Sequence, residues 1–165
     1  MIAARIGEIV PGSRLPHVAR ESTRGLIDTE ALSGRPVVLL FLPLLSELGC
    51  RSYLQDFPSD QAEYQRLEAE IVVISTGSPE SGTDLPFPVI AGAGDLFHQF
   101  HFIHDEGPWW GVVIADRYGI LDRVFSEPSC GQLPSESRVA QLLQSAESSC
   151  PECGVPEQHW VDAVG

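Results

Sequence analysis

The chain has 165 residues, 43% apolar and 20% charged, which suits one domain with one core; no apolar run approaches the roughly 20 residues that span a bilayer. Its net charge of −13 comes from 23 acids against ten cations, all arginine, and a surface that acidic repels phosphate backbones. Nucleic acid and anionic membrane are therefore excluded as partners. The imbalance is uneven, since residues 1–40 carry five arginines against four acids and the remainder five against 19. The start, MIAARIGEIV, has one arginine and no long apolar segment, so no signal peptide is expected, and the expectation is a soluble cytoplasmic protein.

Taken in chain order, the Pro/Gly/Ser-punctuated stretch from Pro11 to Arg35 predicts a short hairpin and a turn of helix. PVVLLFL, Pro36 to Leu42, is a continuous apolar run of strand length, the pattern of a strand covered on both faces and central in its sheet. A helical pattern runs from Leu48 to about Phe57, breaks at Pro58, and resumes to about Glu70 behind a cap at Ser59 or Asp60. IVVIS, Ile71 to Ser75, is a second buried strand. A polar loop over Thr76 to Pro86 follows, then the short extended piece PFPVI, and Asp95 is placed to cap a helix carrying LFHQFHF. GVVIA and ILDRVF read as two strands joined through DRYG, with Gly119 at the tight position. Ser135 caps a last helix whose Val139, Leu142, Leu143 and Ala146 follow the 3.6-residue period.

The order β, α, β, α, β, β, α is that of a thioredoxin-like fold, an α/β architecture with a central mixed sheet flanked by helices. The expected division is a domain over residues 1–149 and a tail over 150–165 bearing a Cys-x-x-Cys pair.

Four cysteines without an export signal point to redox or metal chemistry rather than structural disulfides. Cys50 falls in the predicted first turn of the helix after the central strand. Unpaired backbone N–H groups and the helix dipole there stabilise a thiolate and lower the thiol pKa from about 8.5 toward neutrality. The competing reading of Cys50 is a buried packing residue.

Phe41-x-Pro43 followed by Cys50 resembles the peroxiredoxin (AhpC/TSA-type redoxin) signature, in which an F-x-P strand end precedes P-x-x-x-T-x-x-C. LPHVARESTRGLIDTEALSGRPVVLLFLP is similar to that family's opening hairpin and first strand, and IVVIST to its next strand. FPVIAGAGDLFHQFHF resembles its F-P-x-x-x-D segment, and VVIADRYGIL its I-I-D-x-x-G-x-I hairpin. The resemblance runs from about residue 6 to 145. It implies that Cys50 is a nucleophile toward peroxide or disulfide, and that Cys130, Cys150 or Cys153 resolves the oxidised thiol. It also implies a thioredoxin-type reductant, a homodimer, and no cofactor or metal.

Two positions depart from the pattern. Glu47 stands where the family has threonine, and Trp110, six residues before Asp116, where it usually has arginine. An ionised Glu47 nearby raises a thiol pKa, and tryptophan offers one N–H and no charge where arginine offers a rigid fork of donors. Arg51 and Arg123 are the arginines considered as substitutes. These departures support a rival reading: a catalytically inactive thioredoxin-fold module for binding or assembly.

The tail motif CPECG, Cys150 to Gly154, suits a reversible disulfide or half of a zinc site, for which His159 and Cys130 are the further ligand candidates. A Cys-x-x-Cys that closes a helix sits where the dipole disfavours thiolate, which suits a resolving partner better than an attacker. His98, His101 and His104 recur every three residues; the first two share a face if helical, and an exposed helix face is favoured over a metal site. Trp109 and Trp110 read as core or rim packing, with a partner or substrate surface as the alternative.

Overall fold

The computed structural model describes residues 9–45, 48–55, 57, 61–78 and 85–148, with the backbone alone at 48–50 and 61. The chain opens with an antiparallel hairpin of β1 (Ala19–Ser22) and β2 (Gly25–Asp28). Gly25 takes φ +106° at the turn, a conformation side chains with a Cβ avoid. Between Asp28 and Arg35 the chain makes successive i→i+3 turns rather than a helix.

PVVLLFL then forms β3 (Val37–Phe41), every residue of which is buried. After α1 (Leu48–Gln55) and α2 (Gln61–Arg66), β4 (Glu70–Ile74) returns parallel to β3, and β5 (Val89–Ile90) adds parallel to β4. The chain continues through α3 (Gly94–Gln99) and a small ribbon of β6 (Ile103–His104) and β7 (Gly107–Pro108). It then enters β8 (Trp110–Ala115), antiparallel to β3, and β9 (Leu121–Glu127), antiparallel to β8; α4 (Glu136–Ser148) closes the described chain. The sheet order is β5-β4-β3-β8-β9, so β3 is the middle strand, as its uninterrupted apolar run predicts.

Alternation along each strand divides the core in two. Val38, Leu40, Val73, Val112 and Ile114 face one layer with Leu54, Tyr64, Val139 and Leu143 from α1, α2 and α4. Leu39, Phe41, Val72, Ile74 and Val113 face the other with Leu96 and Phe97 of α3, and with Val18 and Ile27 beside and within the hairpin. Phe41 is the hub of the second layer, its ring 4.7–5.1 Å from those of Phe97, Phe100 and Phe102.

The final helix follows the sequence closely. Ser135 Oγ accepts the Arg138 N–H at 3.3 Å, and Val139, Leu142, Leu143 and Ala146 are all buried. Gly119 has φ +77° in the β8–β9 connection, as DRYG requires.

The reading of LFHQFHF needs correction. The helix stops at Gln99, and His101 adopts φ +63°, so His98 and His101 do not share a helical face. His104 lies in β6 and stacks on Trp109 with centroids 3.8 Å apart. Asp95 does not cap: Ala93 holds the cap position without a side-chain bond, and Asp95 in the first turn accepts from Arg20 at 2.7 Å. The Arg20 guanidinium, before the backbone N–H groups of Asp95 and Leu96, holds the carboxylate's pKa below the usual value. The break expected at Pro58 and its caps at Ser59 or Asp60 lie outside the described residues. No helix among the described residues is long and apolar enough to cross a membrane.

Candidate functional site

The exit of β3 and the start of β8 lie side by side at one end of the sheet, and α1 follows the exit of β3. The exit of β3 is pinned by its own proline. The Pro43 carbonyl accepts from Thr76 Oγ1 at 2.6 Å, from the Thr76 N–H at 3.2 Å and from Ser75 Oγ at 3.2 Å, which ties it to the segment after β4. A proline cannot extend the strand's donor ladder, so the chain turns here. Leu42 and Leu45 are buried on either side while Leu44 is exposed.

Cys50 is the third residue of α1, in the first turn, where the sequence predicts it. Backbone N–H groups of a first turn lack helical partners, so this position is electropositive. Glu47 lies outside the described residues.

Trp110 begins β8. Because β8 runs antiparallel to β3 with Gly111 opposite Phe41, Trp110 lies at the same sheet end as α1's start. Its side chain is 7% exposed and packs in the layer that holds Leu42, Leu45, Leu54 and Val112. Core packing is therefore the correct reading of Trp110, and the half-buried Trp109 donates its indole N–H to Glu106 at 3.3 Å. Gly111 beside it is required by contact: a Cβ there would lie 2.5 Å from the Phe102 ring.

The two substitute arginines stand at different places, Arg51 directly after Cys50 in α1 and Arg123 on β9. Arg51 lines a cavity of about 210 Å³ with Leu54, Gln55, Leu85 and Pro86. Arg123 is exposed on β9 and pairs with Ile114, four residues along β8 from Trp110, about 13 Å at roughly 3.3 Å per residue.

Cys130 opens a short 3-10 turn, Cys130–Gln132, between β9 and α4. It is a free, partly buried thiol packed against the same core layer as α1. The turn is held to α1 by Tyr53, whose hydroxyl donates to the Pro134 carbonyl at 2.7 Å. Burial raises the Tyr53 phenol pKa, and the neighbouring Cys130 and Glu136 act in the same direction. Glu136, first residue of α4, is buried and accepts the Tyr64 hydroxyl at 2.6 Å.

Of the sequence-derived candidates, α1 with Cys50 in its first turn and the Cys130 turn thus pack together. Cys150, Cys153 and His159 lie outside the described residues. Sequence reading missed Tyr53 and Glu136. The available signal was Tyr53 three residues after Cys50, one helical turn along α1.

The AhpC/TSA family model matches residues 6–124, well over half of the sequence. The chain belongs to the AhpC/TSA family. The match includes the F-x-P strand end, Cys50 and most of the β8–β9 hairpin, and stops before Cys130.

Solved structures agree with the family in fold. The bacterioferritin comigratory protein of Xanthomonas campestris, described for alkyl peroxide reduction, superposes with a TM-score of 0.70 at 18% identity, over 82% of this chain and 98% of that one. The yeast mitochondrial 1-Cys peroxiredoxin, described with a glutathione/thioredoxin thiol-resolving mechanism, gives 0.71 at 16% identity over 82% and 75%. A reduced 2-Cys peroxiredoxin of Plasmodium vivax gives 0.71 at 13% identity over 82% and 94%. At these identities the likeness is one of fold. A search of curated proteins finds no match.

Proposed function

We infer that this AhpC/TSA-family chain is a thiol-dependent redox protein that reduces peroxides or exchanges disulfides through Cys50. The observation that carries the reading is the position of Cys50 in the first turn of the helix that follows the pinned end of β3. A thiolate favoured there attacks one oxygen of a peroxide ROOH: the S–O bond forms as the O–O bond breaks, and the alkoxide leaves and takes a proton as ROH. The product is a Cys50 sulfenic acid.

Cys130 is the resolving thiol the packing favours. Its turn docks on α1 through Tyr53, one helical turn beyond position 50. Cys130 attacks the sulfenic sulfur, a disulfide forms, and water leaves with the hydroxyl of the sulfenic acid. A thioredoxin-type dithiol then restores both thiols by exchange and is itself oxidised. Cys150 and Cys153 are the alternative resolving pair.

Peroxide consumption with a dithiol reductant tests the reading. The wild type should turn over and Cys50→Ser should not. Cys130→Ser should stop at one equivalent of sulfenic acid if Cys130 resolves, whereas unchanged turnover would move resolution to the tail. Equal rates for wild type and Cys50→Ser would remove Cys50 from the chemistry.

The second reading, a catalytically inactive binding or assembly module, is favoured by Trp110. The position where the resemblance to the family implies an arginine is filled by a side chain buried in the core. Absence of dithiol-dependent peroxide loss in the correctly folded wild type supports it.

A further inference from the structure

At the opposite end of the sheet from α1's start, the opening hairpin assembles a group of titratable side chains. The ladder of β1 and β2 pairs Ala19 with Asp28, and it continues outward: Thr29 N–H donates to the Val18 carbonyl at 2.9 Å and Val18 N–H to Thr29 Oγ1 at 2.9 Å. One further step sets His17 opposite Glu30. Because side chains alternate along a strand, His17, Asp28 and Glu30 fall on one face while Val18 and Ile27 bury on the other.

The distances follow from that register. His17 Nε2 lies 2.9 Å from Asp28 Oδ1, and His17 Nδ1 lies 3.7 Å from Glu30 Oε1. One ligand atom from each of the three can be chosen so that all lie within 4.8 Å of one another. Asp28 faces Nε2 and Glu30 faces Nδ1, so an ion on Nε2 is shared with Asp28 directly, two ligands at about 2.1 Å standing about 3.0–3.4 Å apart, and Glu30, 74% exposed on its side chain, turns to close the third position. Asp28 Oδ1 also accepts the Glu30 backbone N–H at 3.0 Å, which fixes its carboxylate beside the strand end.

His17 and Glu30 line a cleft of about 350 Å³ with Arg14, Arg35, Asp116 and Tyr118, in which two carboxylates balance two guanidinium groups. The cleft leaves room for water in the remaining coordination positions.

We propose that His17, Asp28 and Glu30 form a binding site for one divalent ion of the zinc class. One imidazole nitrogen and two carboxylates are a donor set that zinc, cobalt and nickel accept, whereas a calcium site needs six or more oxygens. The ion replaces the His17–Asp28 hydrogen bond with a shared ligand and clips the two strands where the ladder ends. This site lies at the other end of the sheet from the start of α1, and it stands whether or not Cys50 is catalytic.

The test is calorimetric titration of Zn²⁺ into the full chain carrying Cys150→Ser and Cys153→Ser, which removes the tail pair. One ion per chain is expected, with His17→Gln and Asp28→Asn each weakening binding about tenfold or more and Glu30→Gln several-fold. Co²⁺ serves as the spectroscopic probe, giving visible ligand-field bands without the near-ultraviolet charge transfer that thiolate ligands produce. Binding that is unchanged in all three variants, a thiolate band in the Co²⁺ spectrum that accounts for all the bound ion, or no binding tighter than about 100 µM overturns the proposal. Glu30→Gln, altered at an exposed side chain, keeps the test valid if His17→Gln fails to fold.

Discussion

The Tyr53 hydroxyl and the Pro134 carbonyl, 2.7 Å apart, join α1 to the turn that carries Cys130. Tyr53→Phe keeps the ring against Phe57, whose centroid is 5.4 Å away, and removes only this bond. One such bond contributes about 1 kcal/mol net, and the carbonyl is left with poorer partners. Urea unfolding should show a loss of that size at an unchanged m-value. Alkylation of Cys130 should also become several-fold faster, because the turn is released from the helix. A variant with wild-type midpoint and alkylation rate would show that the bond does not hold the turn.

Gly111 is a position in β8 with no room for a Cβ. A methyl group there would sit 2.5 Å from Cε2 of Phe102, whose ring is fully buried and also packs on Phe41. The Phe102 ring cannot retreat without moving its neighbours, so Gly111→Ala should cost about 1–3 kcal/mol by overpacking. The double variant Gly111→Ala/Phe102→Leu should recover part of the loss, and a thermal melt of both variants decides it. Additive losses would place the strain in the backbone instead.

Much of this fold was legible because its sheet is made of uninterrupted apolar runs. PVVLLFL and IVVIS can only be strands buried on both faces, and DRYG between two such runs fixes a hairpin. The α3 region was harder to read because its signal is ambiguous. LFHQFHF has apolar residues at helical spacing, yet Phe100 and Phe102 are both drawn onto Phe41, and the chain leaves the helix at His101 with positive φ to deliver them. Tertiary packing overrode the local period. The position of Cys50 was legible from the strand–turn–helix order, but Tyr53 and Glu136 were not, since their partners Pro134 and Tyr64 are 81 and 72 residues away in sequence. The hairpin cluster was hidden for a different reason: His17, Asp28 and Glu30 match no spacing motif, and only the strand register brings them together.

Glu63 links α2 to α4 and should shape the acid limb of stability. Its carboxylate accepts from Arg66 at 2.6 and 2.9 Å and from the Gln144 amide, and these bonds, Arg66 first, hold its pKa down at about 2 against an ordinary 4.5. The folded state therefore binds this proton more weakly than the unfolded chain does. The contribution is complete above about pH 4.5 and is lost as the pH falls toward 2. Glu63→Gln should lie below wild type at neutral pH, show a shallower decline in midpoint between those limits, and converge with wild type near pH 2. An identical slope in both proteins would assign the acid limb to other carboxylates.

Trp110 allows packing and chemistry to be separated at the proposed site. Its indole lies among Leu42, Leu45 and Val112, and it brings one N–H and no charge to a position where an arginine would bring five donors. If the residue acts by packing alone, Trp110→Phe should cost stability, about 1–3 kcal/mol for the lost volume, and leave the reactivity of Cys50 alone. The readout is the pH midpoint for alkylation of Cys50, followed by mass spectrometry, which is available whether or not the protein turns over peroxide. A midpoint within about 0.3 unit of wild type is expected, since 0.3 unit corresponds to roughly 0.4 kcal/mol of thiolate stabilisation. A rise of about one unit or more would mean that the indole N–H supports the thiolate, and Trp110 would then belong to the reactive site rather than to the core beneath it.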